Sequence, residues 1–246
     1  MKTHLYFAVC FVISFVFVAH SGVKRAKQSP TDLDQRLRSL IKKNNLQALD
    51  PLPDPARPLI RLGAHLFQEM QLSCHRNISC MHCHHPMKGT SDGLALSLGQ
   101  GAKGLAHGRQ QATGAILKRN SPALINLGYA KITDMFWDGR VSYDPHADSY
   151  QTPVKALNGQ NAKAKDITQK LSGALSAQAL FPILSRDEMR GHSGNDLANK
   201  ESAVEVWESA MSRLTKGEKK QRYLKMFSAA YPDEEIQQLN IGHVGN

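Results

Sequence analysis

The chain has no hydrophobic segment long enough to cross a membrane as a helix: its apolar run, Leu5 to Ala19, is shorter than the roughly 20 residues a span requires. Internal repeats are absent and strand signals are scarce, so helices are expected to carry the fold. No basic stripe interleaved with aromatic residues exists. Although the formal net charge is +10, Lys and Arg are scattered among acids, which argues against nucleic-acid binding. Such a balance suits an acidic partner or an anionic surface. With 41% hydrophobic and 21% charged residues, the 246 positions describe an ordinary globular chain rather than a disordered one.

The N-terminal segment carries one early base, Lys2, then the apolar run, then Ala19-His20-Ser21 with small residues at the two positions a signal peptidase reads. This predicts a signal peptide over residues 1–21, cleaved after Ser21. An uncleaved anchor is the alternative. Cys10 lies inside the run without a convincing lipobox, so lipidation is not expected. Cleavage takes the charge from +10 to +9 by removing Lys2, and leaves three cysteines, Cys74, Cys80 and Cys83.

Two of those three stand in Cys80-Met81-His82-Cys83-His84, a C-x-x-C-H pattern that in an exported chain reads as a covalent haem c attachment site. Two thiols three positions apart on one helical turn can add to the two vinyl groups of a porphyrin while the adjacent imidazole reaches the iron. Cys80 and Cys83 are then thioether anchors and His84 the axial base. A zinc site or redox dithiol is the competing reading, because Cys80, Cys83 and the nearby His75, His82, His84 and His85 could form a Cys2His2-like cluster. No second ligand pair stands at finger spacing, which favours haem. Cys74 is left as an odd thiol, either pairing between chains or, more plainly, buried as a small apolar residue.

Thr31-Asp32-Leu33-Asp34 opens a helix carrying Leu33, Leu37, Leu40 and Ile41 at helical spacing. A Pro-rich connector, Pro51 to Pro58, ends it. Leu59, Leu62, Leu66 and Phe67 mark one face of a second helix running toward the haem motif. A loop follows that contains Gly89, Gly93, Gly99, Gly101, Gly104, Gly108 and Gly114, too glycine-dense for regular structure and either mobile or wrapped against the haem. Further helices are expected over Asp166–Leu180, over Glu201–Leu214 with Val204, Trp207 and Met211 on a face, over Glu218–Ala230, and from Asp233 onward. The domain reading is a signal peptide, 1–21; a helical extension and connector, 22–58; and a haem domain, 59–246.

From about Leu59 to the C-terminus the chain resembles the N-terminal haem domain of the bacterial dihaem cytochrome c peroxidases and related dihaem maturation enzymes. The carriers, in order, are Leu62-Gly63-Ala64-His65-Leu66-Phe67, Asn77-Ile78-Ser79-Cys80 through His84, Asp92-Gly93-Leu94, Ser97-Leu98-Gly99, Arg119-Asn120-Ser121-Pro122-Ala123, Phe136-Trp137-Asp138-Gly139-Arg140, Gln178-Ala179-Leu180-Phe181-Pro182 and Glu188-Met189. Only C-x-x-C-H and F-W-D-G-R are specific singly; their common order is what makes the likeness strong. The resemblance implies a mainly α, cytochrome c-like haem domain with long Gly-rich loops.

It also implies roles. His84 matches the proximal histidine of the peroxide-reducing haem. Glu188 matches a distal acid that moves the peroxide proton from the inner to the outer oxygen, and Gln178 a glutamine that helps hold that pocket. Trp137 resembles a tryptophan that relays electrons between the two haems, and Asn120 a contributor to a calcium site. Three departures stand against this. Gln100 occupies the loop position where many members place a histidine that caps the resting iron, although His107 lies on the same loop. The stretch 141–177, with Tyr143, His146, Tyr150 and Pro153, is longer than in compact peroxidases. A second C-x-x-C-H is missing, so the chain reads either as a truncation ending at Asn246, the favoured reading, or as a single-haem derivative that receives electrons directly from a donor.

The leading functional expectation is a periplasmic peroxidase domain that reduces hydrogen peroxide with electrons from a small c-type cytochrome or cupredoxin; a homodimer is compatible with it. The alternatives are an oxidative maturation enzyme acting on a partner protein and a plain electron-transfer cytochrome. A transfer cytochrome wants two strong axial ligands and no distal acid, whereas a peroxidase wants an open sixth position. Glu188, and glutamine at position 100, favour catalysis and a ferric iron accessible without prior reduction.

Overall fold

The structure, a computed structural model, describes residues 31–49, 51, 54–129 and 131–246. The expected signal peptide and its cleavage site lie outside the described residues. Among the described residues no helix is long and apolar enough to cross a membrane. The chain divides into two compact units, one up to Pro51 and one from Leu52 onward.

In the first unit, α1 (Asp32–Lys43) starts at Thr31, whose hydroxyl accepts from the Asp34 amide while the Asp34 carboxylate takes the Thr31 amide. This reciprocal pairing satisfies two of the helix's orphan donors and explains why the helix opens there.

The second unit holds the candidate site. Helix α2 (Arg57–Phe67) begins inside the expected connector, because Pro58 falls in its first turn, where a missing N–H costs nothing. It buries Leu62 and Leu66 against α7 (Lys220–Ala230). Next comes α3 (Cys80–Cys83), a single turn, and then the Gly-rich stretch. That stretch doubles back on itself: Leu98 bridges Ile116 and Lys103 bridges Gln110 in antiparallel fashion, with a 3-10 turn at Ala106–Gly108.

The mainly α expectation meets a mixed fold. Strands β1 (Asp134–Met135), β2 (Val141–Asp144) and β3 (Ser149–Gln151) form an antiparallel sheet in the order β1-β2-β3, with Tyr143 opposite Tyr150. The two rings lie 4.8 Å apart, a cross-strand aromatic pair of the kind that fixes register. The helix expected over Asp166–Leu180 is two, α4 (Lys165–Thr168) and α5 (Ala174–Gln178), broken where Gly173 takes a φ of +141°. From Asp233 onward there is only a 3-10 turn, Ile236–Gln238, and the short α8 (Gly242–Gly245).

Helix α6 (Ala203–Thr215) is the spine of the core. Ser202 and Glu205 cap it reciprocally, and it buries Val206, Trp207, Ala210, Met211 and Leu214. Trp207 is fully buried and spends its one donor on the Leu180 carbonyl at 3.0 Å. Arg213, on the same helix, is 7% exposed. Its guanidinium pairs with Asp196 and donates to the carbonyls of Gln71, Ser73 and Cys74. Nearby, buried Glu69 accepts from Lys219 and the Tyr223 hydroxyl.

These pairs set expectations for stability. Arg213→Ala leaves the carbonyls of Gln71, Ser73 and Cys74 without their donor, while Asp196, half open to water, is simply solvated; denaturant unfolding should report a loss of about 1–3 kcal/mol, the usual cost of an unsatisfied buried acceptor. Arg213 holds the Asp196 carboxyl below its ordinary range. Glu69 is also depressed: burial works against its charge, but the bonds from Lys219 and Tyr223 outweigh it. Both carboxylates thus favour the fold above the ordinary carboxylate range, and stability should fall as pH drops through their depressed values. A loss below about 1 kcal/mol for Arg213→Ala would show that the cluster is not a keystone.

Candidate haem site

Ser79 caps α3, and its amide and hydroxyl both contact Nδ1 of His82 at 3.1 and 3.0 Å, so buried His82 is committed to starting the turn. The turn places Cys80 and Cys83 together. Cys80 keeps one side open to solvent, yet the surrounding protein, and then Cys83, push its thiol up to about 11. Cys83 is pushed up by burial as well, with Arg109 opposing.

His84 follows at the end of the turn. Its Nδ1 lies 3.0 Å from the Thr90 carbonyl and 3.0 Å from the Pro122 carbonyl. Two carbonyl acceptors require Nδ1 to carry the proton, which leaves the lone pair on Nε2, the arrangement by which outer partners orient a metal-binding histidine. Burial lowers the His84 pKa, keeping the ring neutral. The segment after Arg119 supplies this cradle. Ser121 donates to the Cys83 carbonyl at 2.5 Å and accepts from Ser91 through its own carbonyl at 3.0 Å, and the Leu124 amide donates to Thr90 Oγ1 at 2.7 Å. Buried Asp92 accepts from the Ser97 hydroxyl, whose oxygen takes the Ser121 amide. The motifs around Asp92, Ser97 and Asn120 are thus bonded to one another and to the attachment turn.

Glu188 lies in a π turn, Arg186–Arg190, closed by Gly191 at a φ of +75°. Its carboxyl is half-buried and makes no hydrogen bond among the described residues. Burial raises its pKa, Arg140 pulls it down and Asp187 raises it. This turn is linked to the Cys80–Cys83 turn through the Gly-rich loop, whose Arg109 donates to both Cys83 Sγ and the Gly99 carbonyl. The loop packs directly on the π turn: the Gln100 amide donates to the Asp187 carbonyl at 2.8 Å, and a Cβ on Gly99 would sit 2.0 Å from that same oxygen. Gly99 is therefore required by close approach rather than by its φ.

The other expected residues fall in different places. Gln178 ends α5, half-buried. Trp137 is 70% exposed, with the Arg119 guanidinium 4.0 Å over its ring. Its neighbour Phe136 is capped by Arg140 at 3.6 Å and meets Phe181 edge-on, which meets buried Trp207 in the same way. Asn120 donates to the Leu94 carbonyl at 2.6 Å, and its Oδ1, the atom a calcium ion would use, has no partner among the described residues. His107 is exposed on its 3-10 turn.

Arg109 escapes sequence reading altogether. It is 3% exposed, donating to Cys83 Sγ at 3.0 Å and to the Gly99 carbonyl at 2.9 Å, while its Nε is buried without a partner. No carboxylate among the described residues pairs with it. A buried cation left so is costly. A porphyrin held at Cys83, which brings two propionates, suits it. Two thiols on one turn, a neutral imidazole with Nε2 free and an uncompensated guanidinium together fit haem c. They do not fit the zinc alternative, since among the described residues no three His, Cys, Asp or Glu side chains group closely enough to hold a metal ion.

Comparison with known proteins agrees. A family model described as di-haem cytochrome c peroxidase matches residues 57–245. A cytochrome-c peroxidase IdrP2 from Denitromonas iodatirespirans is 28% identical over 149 residues, 61% of this chain and 37% of the relative. The IdrP2 of Pseudomonas sp. (strain SCT) is 28% identical over 147 residues, 58% and 36% of the two chains. The methylamine utilization protein MauG of Methylorubrum extorquens is 29% identical over 137 residues, 54% and 34%. The matched region thus spans little more than a third of each of these relatives. Because that family model covers most of its length, the chain belongs to the di-haem cytochrome c peroxidase family, whose members bind haem c.

Proposed function

We propose that this chain is a periplasmic haem c protein that reduces hydrogen peroxide to water with electrons from a small redox protein, and that Glu188 is its proton-transfer group. Glu188 carries the reading: a half-buried carboxyl without a partner among the described residues, on the turn against which the Gly-rich loop packs, whose proton is held more tightly than usual because burial disfavours its charge. Cys80 and Cys83 would hold the haem, and His84 would present Nε2 to its iron. When bound, haem c supplies an iron that takes peroxide and passes electrons. Ionised Glu188 accepts the proton from one peroxide oxygen and returns it to the other, which leaves as water. One hydrogen peroxide, two electrons and two protons give two waters. Gln178 is assigned to orient the pocket, and export is carried by the leader.

Exposed Trp137 under Arg119 offers a cationic aromatic contact suited to an acidic donor such as a small c-type cytochrome or cupredoxin, while Arg140, on Phe136, is paired with Asp138. The same exposed ring favours a second reading, oxidative maturation of a partner protein, because it offers a route for oxidising equivalents to a docked surface.

Expressed with haem c maturation machinery, the protein should keep its Soret absorption through acid–acetone extraction, since thioethers outlast the iron ligands; a colourless chain carrying stoichiometric zinc would reverse the assignment. Glu188→Gln should slow the reaction of the ferric protein with peroxide by roughly 10²–10⁴-fold. The rate should fall as pH drops through the Glu188 pKa, because only the ionised form accepts the proton. Since burial raises that pKa above 4.5, the fall should begin at higher pH than for an ordinary glutamate. Arg140→Ala, which removes the opposing charge, should move it higher still. Stopped-flow rates against pH decide this, and an unchanged profile in Glu188→Gln would demote Glu188 to a bystander.

A further inference from the structure

Among the described residues the Gln100 side chain has one partner. The Cys74 thiol donates to its Oε1 at 3.3 Å, while no acceptor among the described residues takes the Nε2 hydrogens. Cys74 has little freedom to do otherwise. Its amide donates to the Met189 carbonyl at 2.7 Å, and its own carbonyl takes a bond from Arg213 at 3.2 Å. Its side chain fills the space over Gly191, where an added Cβ would come within 2.8 Å of Cys74 Cβ and 3.1 Å of Sγ. The thiol is 1% exposed, and burial raises its pKa, so it stays a donor.

Gln100 is fixed from the other side too. Its amide is tied to the Asp187 carbonyl, one residue before Glu188, and the preceding Gly99 carbonyl is held by Arg109, which also touches Cys83. A carboxamide that coordinates ferric iron does so through oxygen, and here that oxygen is engaged. Its N–H groups meet no acceptor among the described residues, and its backbone is bonded to the π turn one residue before Glu188.

We propose that Gln100 acts as a hydrogen-bond donor to the bound peroxide rather than as an iron ligand, and that Cys74 is the positioning residue that turns its amide oxygen away and its Nε2 toward the substrate. This rests on the reading of the Glu188 side as the peroxide side. Glu188 moves the proton; Gln100 steadies the anionic oxygen that results, the role preorganised donors play wherever negative charge develops.

Fluoride is the probe, because as a ferric ligand it accepts hydrogen bonds from nearby donors and needs no turnover. On the haem-loaded chain, Gln100→Leu should weaken fluoride about tenfold, the worth of one hydrogen bond to a charged acceptor, and shift the ferric-fluoride charge-transfer band. Cys74→Ala should weaken it in the same direction by less, because the freed amide spends only part of its time turned correctly. Cys74→Ser, which restores a donor, should recover the wild-type value. Unchanged fluoride affinity and band in Gln100→Leu would overturn the proposal while leaving the Glu188 reading intact. Conversion of a low-spin ferric protein to high spin by Gln100→Leu would overturn it by showing that Gln100 is a ligand. If the unmodified ferric protein takes neither fluoride nor cyanide and Gln100→Leu does not open it, the reading of an open iron beneath the proposal is itself wrong.

Discussion

The second unit depends on one guanidinium. Arg213, projecting from the core helix α6, reaches Asp196 and the carbonyls of Gln71, Ser73 and Cys74, some 140 positions earlier in the chain. The segment 71–74 has no regular ladder to satisfy those carbonyls, and a buried carbonyl without a donor is costly. Arg213 satisfies three at once and neutralises its own charge on Asp196. Cys74, held in this way, carries the order onward: its amide fixes the Met189 carbonyl of the π turn, and its thiol meets Gln100. A stability device in the core thereby sets the placement of groups at the candidate site.

The site has two chemically opposed sides. His84 itself is held by backbone: the carbonyls of Thr90 and Pro122 take Nδ1, and Ser121, backed by Ser97 and Asp92, locks the turn. That environment keeps an imidazole neutral and aimed. On the Glu188 side, among the described residues, the π turn leaves the Glu188 carboxyl without a hydrogen bond, and the Gly-rich loop packed on that turn carries Arg109 without a counter-ion. Folding alone disfavours such groups, and they are the ones that bound cofactor and substrate would compensate.

What the sequence disclosed and what it hid divide along physical lines. The C-x-x-C-H turn and helix α6 were legible because each is local: spacing of thiols on one turn, and Val204, Trp207 and Met211 at helical spacing on one face. The three-stranded sheet was not, since its longest strand has four residues and Tyr143 and Tyr150 only become a signal once paired across it. The break between α4 and α5 was hidden by good helical spacing on both sides of Gly173. Arg109 and Arg213 were invisible because their partners are backbone carbonyls and a sulfur, atoms that every residue, or any cysteine, offers. The one available hint for Arg109 was its position as an arginine amid the densest glycines, where the chain has little else with which to anchor itself.

The most direct test of the account is a crystal structure of the haem-loaded ferric protein. His84 Nε2 should be on the iron, no protein atom should occupy the opposite coordination position, and the Glu188 carboxyl should face that position with Gln100 Nε2 beside it. A side chain bound there, from Gln100, His107 or elsewhere, or a Glu188 carboxyl turned out to solvent, would contradict it.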